Sequence, residues 1–278
     1  MTSAPSLHLP QPPLSQHVSY IGHWSHTGNA SHRSTALPRG AVTLVIDLSG
    51  ADLVDIAVVG QQPVQVPSAF IAGGGTTSYV TQIDPGQTVM TVHFRPSGAR
   101  AFLEMPLGEL QDRCIGIDDI WGEASRALRE RLTATTSAVG RVAVMEQFLL
   151  GRMTVRNSRI PGLLAHLDAS PSITVTEVCG ITGLSPKRLT AVFRAEVGQS
   201  PKTYLRVRRL QAALQRLDAG THRGADIAAD LGYFDQAHFV RDFRSFTSIT
   251  PSEYWRHRSS LPSHLESAEM YKSARALS

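Results

Sequence analysis

The stretch LGYFDQAHFVRDFRSFTSITPSEYW, from Leu231 to Trp255, decides how this chain is read. Gly232 marks a turn, and Asp235 is a residue whose side chain can cap the helix after it. Phe239, Phe243 and Phe246 then recur at three-and-four spacing, which predicts a short helix pinned by one aromatic stripe. Gln236 and His238 fall at the start of that helix, and Ala237, Val240, Arg241 and Arg244 share its outer face. Thr250 and Pro251 open another helix, with Glu253 completing a capping box.

The stretch has a counterpart upstream. At an offset of 50, Leu184, Ser185, Leu189, Phe193, Arg194, Ser200, Pro201 and Tyr204 fall on Phe234, Asp235, Phe239, Phe243, Arg244, Thr250, Pro251 and Tyr254. Before the turn the offset is 49, and Val178, Cys179 and Gly183 fall on Ile227, Ala228 and Gly232. One structural unit is therefore used twice, with one residue added in the second turn. Each unit reads as short helix, glycine turn, capped second helix, which is helix-turn-helix grammar. A helix from Pro201 to Leu217, with Val207, Leu210, Ala213, Leu214 and Leu217 on one face, would join the units before Gly220 stops it.

The outer faces of the two second helices are the candidate sites. Lys187, Thr190, Ala191 and Arg194 share a face in the first unit, with Arg188 near its start. Arginine can donate two bonds to guanine, glutamine can pair with adenine, and Lys or Arg can hold phosphates. A single such face is more often a solvated charged surface; two matched cores with two matched basic faces favour a polyanion. Charge distribution agrees. Residues 160–258 hold 13 Lys and Arg against 9 Asp and Glu, while the rest of the chain is balanced at 14 of each.

Earlier in the chain the pattern is different. From Val18 to about Cys114, runs such as AVTLVIDLSG (41–50) and GQTVMTVHFRP (86–96) predict strands ended by Gly or Pro, assembled as a small barrel or sandwich. Helical periodicity follows, in IDDIWGEASRALRERL (117–132) and GRVAVMEQFLLGRM (140–153). The stripe Val142, Met145, Phe148 and Leu149 either packs on its own domain or forms a dimer seam. VRNSRI (155–160) is a polar gap. The proline-rich start, 1–17, predicts a disordered tail, and the polar end, 259–278, a flexible one. The divisions expected are thus 18–115, β-rich and sensor-like; 116–154, helical, for packing or dimerisation; and 160–258, helical and DNA-binding. The class is α+β.

Two cysteines, Cys114 and Cys179, have neither disulfide-framework nor zinc spacing and suit a reducing cytoplasm. No apolar run approaches membrane-spanning length, and the N-terminus lacks the basic and apolar segments of a signal peptide.

The two quoted halves of the repeat, GLSPKRLTAVFRAEVGQSPKTYLRVRRLQAAL (183–214) and DIAADLGYFDQAHFVRDFRSFTSITPSEYW (226–255), resemble the DNA-binding domain of the AraC/XylS family of bacterial transcription regulators. The resemblance covers residues 160–258, and the second stretch follows the family signature over its whole length. It implies two helix-turn-helix modules docking in the major groove on one face of duplex DNA. The family's recognition positions fall on Lys187, Thr190 and Ala191, and on Gln236, Ala237, His238 and Arg241. Ala191 stands where the family often has arginine. LPRGAVTLVIDLSG (37–50) and the run from Val92 to Leu132 resemble a sensor-like region, where related regulators use a cupin-like barrel to bind effectors or to dimerise. The partners implied are promoter or operator DNA, a small-molecule effector, a second copy of the chain and, for an activator, RNA polymerase.

Other chemistries lack their constellations. His23, His26 and His32 fit no standard ligand spacing, AGGGTTS (72–78) lacks the Lys-Ser/Thr ending of a phosphate loop, and no motif frames a catalytic nucleophile. No cofactor, metal or enzymatic role is expected. A DNA-packaging protein without effector control is the alternative, and the structured N-terminal half argues against it.

Overall fold

The computed structural model describes residues 6–59, 61–156, 158–220, 224–258 and 264–267. Among them, the alternating runs form strands β1 (Ser6–His8), β2 (Val18–Ser25), β3 (His32–Ala36), β4 (Thr43–Asp47), β5 (Leu53–Val58), β6 (Val64–Pro67), β7 (Ala69–Ala72), β8 (Tyr79–Ile83), β9 (Thr88–Phe94) and β10 (Cys114–Gly116). Helices α1 (Ile117–Trp121), α2 (Glu123–Ala134) and α3 (Ala138–Arg152) follow. The repeat forms α4 (Ile160–Ala169), α5 (Val175–Thr182), α6 (Pro186–Glu196), α7 (Pro201–Ala219), α8 (Gly224–Asp230), α9 (Gln236–Thr247) and α10 (Pro251–His257), and a last strand, β11, spans His264–Ser267. The class is α+β, with strands ahead of the helix-turn-helix region.

Two antiparallel sheets make the N-terminal half. One runs β1-β2-β9-β4-β7-β10, the other β11-β3-β8-β5-β6. Period-two alternation gives the first sheet two apolar faces. Ile21, Leu44, Ile46, Ile71, Met90, Val92 and Phe94 face the helices, where Leu128, Leu132, Val142, Met145 and Leu149 close the main core. Val45 and Phe70 point the other way, towards Ile56 and Val66 of the second sheet. The α3 stripe therefore packs on its own sheet, with Phe148 half-buried at its margin. His93 lies on the face opposite Met90 and Val92, with its ring stacked on Tyr20 at 4.3 Å.

Local expectations differ from the structure in three places. The single helix expected over 117–132 is two helices, because Gly122 takes φ +55° and breaks the ladder between them. The start of the chain is ordered from Ser6 onwards. Strand β1 pairs with β2, Leu14 is buried in the main core, and His8 Nε2 lies 2.9 Å from Glu146 Oε1 on α3. One apolar anchor and a free strand edge outweigh the proline-rich composition there, while residues 1–5 lie outside the described residues. In the segment expected to be flexible, residues 264–267 form β11, paired from His264↔Ala36 to Ser267↔Arg33, and Leu265 is fully buried. Residues 259–263 and 268–278 lie outside the described residues.

Three loops of the N-terminal half touch the C-terminal half, and Arg100 reaches Glu196 of α6 at 3.7 Å. Residues 37–40 reach α7: Leu37 enters the core around Leu210 and Phe243, Gln211 Nε2 donates to Pro38 O at 2.6 Å, and a Cβ on Gly40 would come within 3.2 Å of Val207. The glycine-rich loop 73–78 carries Gly74, where a Cβ would lie 3.1 Å from Gln199 Nε2, and Ser78, whose Oγ donates to Phe246 O at 2.7 Å. A 3-10 turn at Leu107–Leu110 meets the end of α6, with Gly108 against Arg194 O. The glycines of AGGGTTS thus serve close approach. Gly73 packs on the Leu110 carbonyl, and Asp112 accepts bonds from the backbone N–H groups of Thr76 and Thr77 at 2.7 and 3.2 Å.

Candidate nucleic-acid interface

Each repeat unit is built by local chemistry. In the first, Thr174 and Glu177 form a capping box at the start of α5, and the Thr174 bonds hold the Glu177 carboxyl below its ordinary range. Gly183 turns the chain at φ +67°, and Ser185 Oγ accepts from Arg188 N at 3.3 Å to start α6. Leu189 and Phe193 are fully buried against Val178, Leu164 and Tyr204. In the second unit Gly232 turns at φ +71°, and Asp235 Oδ1 accepts from His238 N at 2.6 Å to start α9. Phe239, Phe243 and Phe246 bury the other side of that helix against Ile227 and Tyr254. Thr250 and Glu253 repeat the capping box at α10, and their bonds lower the Glu253 pKa.

Burying those stripes fixes what remains outside. On α6, Lys187, Arg188, Ala191 and Arg194 are exposed, whereas Thr190 is half-buried and returns its hydroxyl to Pro186 O at 2.8 Å. On α9, Gln236, Ala237, Arg241 and Arg244 are exposed, with Gln236 lying over Gly224 of α8. His238 is drawn inward: its ring meets Tyr233 edge-on at 5.3 Å, and its Nδ1 is 3.5 Å from Phe234 N. The expected site residues therefore collect on two helices, with Thr190 and His238 turned back towards their own modules.

The arginines of α7 contrast with these. Arg206 Nε donates to Asp242 Oδ1 at 2.9 Å, and its guanidinium lies 4.6 Å from the Phe246 ring centre. Arg208 pairs with Asp168 at 2.7 Å, Arg216 lies 3.8 Å from Asp230, and Arg209 sits 5.1 Å over Tyr233. Burial, with the Asp242 charge adding to it, pushes the Tyr233 phenol up, so it stays protonated and donates to Asp242 Oδ2 at 3.2 Å. By contrast, Lys187, Arg188, Arg194, Arg241 and Arg244 enter no salt bridge among the described residues. Charge is neutralised where helices pack and left outside any salt bridge among the described residues where the two second helices face solvent, which is the arrangement that phosphates complete.

Sequence reading missed the Arg206–Asp242–Tyr233 lock. Its only sequence trace is Asp242 among aromatic residues. It also missed the exposure of Phe234, which is 92% accessible.

A helix-turn-helix domain family model matches residues 178–257, and a domain of unknown function (DUF6597) matches residues 6–116. The regulatory protein SoxS of Escherichia coli (strain K12) is 40% identical over 93 residues, which span 34% of this chain and 84% of SoxS. The chain belongs to the AraC/XylS family of bacterial transcription regulators. A putative AraC-like transcription regulator of Streptomyces lividans is 32% identical over 92 residues, 33% of this chain and 30% of that protein's length. Among solved structures, ToxT from Vibrio cholerae superposes with a TM-score of 0.46 at 12% identity, covering 85% of this chain and 97% of that one. The helices α6 and α9 and their basic faces lie inside the matched helix-turn-helix region. No helix of the described residues is long and apolar enough to cross a membrane.

Proposed function

We propose that both units bind duplex DNA sequence-specifically, with α6 and α9 entering successive major-groove segments. Residues 160–258 act as the DNA-binding unit, 18–115 as the sensor-like unit and 116–154 as its helical buttress. The observation that carries this reading is the contrast in arginine use: those of α7 are engaged inside the protein, while those of α6 and α9 enter no salt bridge among the described residues. One continuous helix, α7, separates the two units, and such a spacer favours a fixed separation. Lys187, Arg188, Thr190 and Arg194 contribute chiefly to affinity, and Gln236, His238, Arg241 and Arg244 to base choice and phosphate contact, because Ala191 stands where Arg241 stands in the repeat.

The N-terminal half controls this binding through a small-molecule effector or a second copy of the chain. The contacts of loops 37–40, 73–78 and 107–110 with α6, α7 and α9 support that route, since a shift in the sheets would reach both units. Exposed Val139 and Leu150 on α3, and a groove between α2 and α3 lined by Ala124, Ala127, Phe148 and Gly151 together with Arg131 and Arg152, favour self-association at the helical region. RNA polymerase is the further partner if the protein activates.

Footprinting on a site selected from random duplexes tests the reading. One protomer should protect two major-groove segments about 34 Å apart, roughly one turn of DNA. Protection confined to one segment refutes the two-unit reading, and uniform protection without a discrete site indicates a packaging protein.

A further inference from the structure

The residue added to the second turn can be identified. The offset of 50 puts Leu184 on Phe234, but the structure corrects that pair: at the offset of 49 that aligns Gly183 with Gly232, Leu184 falls on Tyr233. Leu184 packs on the first unit's core, and Tyr233 is buried in the second unit's core with its hydroxyl on Asp242. Tyr233 thus does the structural work of Leu184, and Phe234 is the insertion. Its neighbour Asp235 resumes the alignment as the cap of α9. The insertion is a phenylalanine whose side chain enters none of the buried clusters of the described residues and is 92% exposed. Its backbone is held in place, because Phe234 N lies 3.5 Å from His238 Nδ1 and the turn closes through Tyr233 N donating to Ala228 O at 2.9 Å.

A large aromatic ring held in solvent by an ordered turn is unfavourable in the free protein and becomes favourable on a partner. Its surroundings select the partner. The ring flanks the start of α9, beside exposed Gln236 and Ala237 and on the helix that carries Arg241 and Arg244. A recognition helix meets base edges with its N-terminal residues. The residue just before the cap then lies at the edge of the segment being read. The apolar group available there is the thymine 5-methyl, which phenylalanine contacts.

We infer that Phe234 is a specificity-determining DNA contact whose ring packs on the 5-methyl group of a thymine at the edge of the segment read by α9. This rests on the reading that α9 enters the major groove. It differs from the helix-face contacts in being apolar, so it adds base choice without adding to the salt dependence of binding.

The test uses the full chain and its best duplex, selected from a random pool. Wild type, Phe234→Ala and Phe234→Leu are titrated against that duplex, against single thymine-to-deoxyuridine substitutions in it, and against unrelated DNA. Phe234→Ala should weaken the selected duplex about tenfold, the scale of one good base contact. It should leave unrelated DNA, the salt slope and the thermal midpoint unchanged, and Phe234→Leu should recover part of the loss. One deoxyuridine substitution should weaken wild type several-fold and Phe234→Ala not at all. Equal binding by wild type and Phe234→Ala overturns the inference, as does an equal loss on unrelated DNA. Identical deoxyuridine profiles for the two proteins also overturn it. Unchanged DNA binding with lost transcriptional activation assigns the ring to a protein partner and overturns it too. Failure of wild type to select any duplex is a different result, and it sinks the groove-reading model along with this one.

Discussion

Arg241 and Arg244 share the solvent face of α9 one turn apart, and neither enters a salt bridge among the described residues. Their surroundings differ. Arg244 sits in the last turn, close enough to Glu253 for its charge to help lower that carboxyl, whereas Arg241 stands nearer the helix start. Arg241→Ala should therefore relax base preference, with a loss of roughly 1–3 kcal/mol on the best duplex if the contact is bidentate. Arg244→Ala should weaken all sequences by a similar factor and reduce the salt slope by about one phosphate contact. Anisotropy titrations at several salt concentrations separate the two, and an Arg241→Ala protein with unchanged affinity for the best duplex contradicts the assignment. The same scale shows what a sequence conceals. Gln236, Arg241 and Arg244 were legible as exposed because period 3.6 places them opposite the phenylalanines. His238 was not, because its inward turn depends on the Tyr233 ring, and that ring is positioned by Asp242 one turn further along α9 and by Arg209 on α7, remote in sequence.

At the scale of elements, capping residues and apolar stripes were readable because they act within four residues of each other. Ser185, Asp235 and the Thr250–Glu253 box cap as their types require. The break at Gly122 was less readable, since Gly-containing helical runs often continue. What joins element to element was not readable at all: Arg206 on α7 reaches Asp242 on α9, 36 residues on. Asp242 is buried to 8% exposure while the Arg206 side chain keeps 35%. Arg206→Ala leaves the carboxylate buried with only the Tyr233 hydroxyl and solvent reached through the vacated space. The expected cost is about 2 kcal/mol, less than the roughly 3–5 of a fully buried pair because Arg206 is already partly screened by water. Urea denaturation should show the midpoint falling with the slope unchanged. No shift in the midpoint would mean that the α7–α9 junction is held by its apolar contacts alone.

Across the whole molecule, the proline-rich start and the polar end are the parts whose sequence reading and structure diverge most, and both take their conformation from remote partners. The N-terminal segment is ordered because Leu14 reaches the main core, and β11 forms beside β3, where Leu265 is buried among the helices of the second unit. The two repeat units are unequal in this respect. The core of the first, from Ile160 to Leu205, is drawn entirely from residues of 160–258. The core of the second also takes Leu37 from the N-terminal half and Leu265 from β11. Leu265 is fully buried where β11 extends the sheet beside β3, so it joins the N-terminal sheet to the helices that carry α9. Leu265→Ala should then destabilise the chain by about 2–5 kcal/mol, the range for truncating a buried leucine. The loss should also be local. Amide exchange should quicken in α8, α9 and α10 while α5 and α6 keep their protection, because the first unit's core does not include Leu265. A fragment of residues 160–258 should show the same asymmetry, with the second unit the more labile of the two. Uniform acceleration across both units would mean that they unfold as one body, and unchanged exchange would mean that β11 does not bear on the second unit.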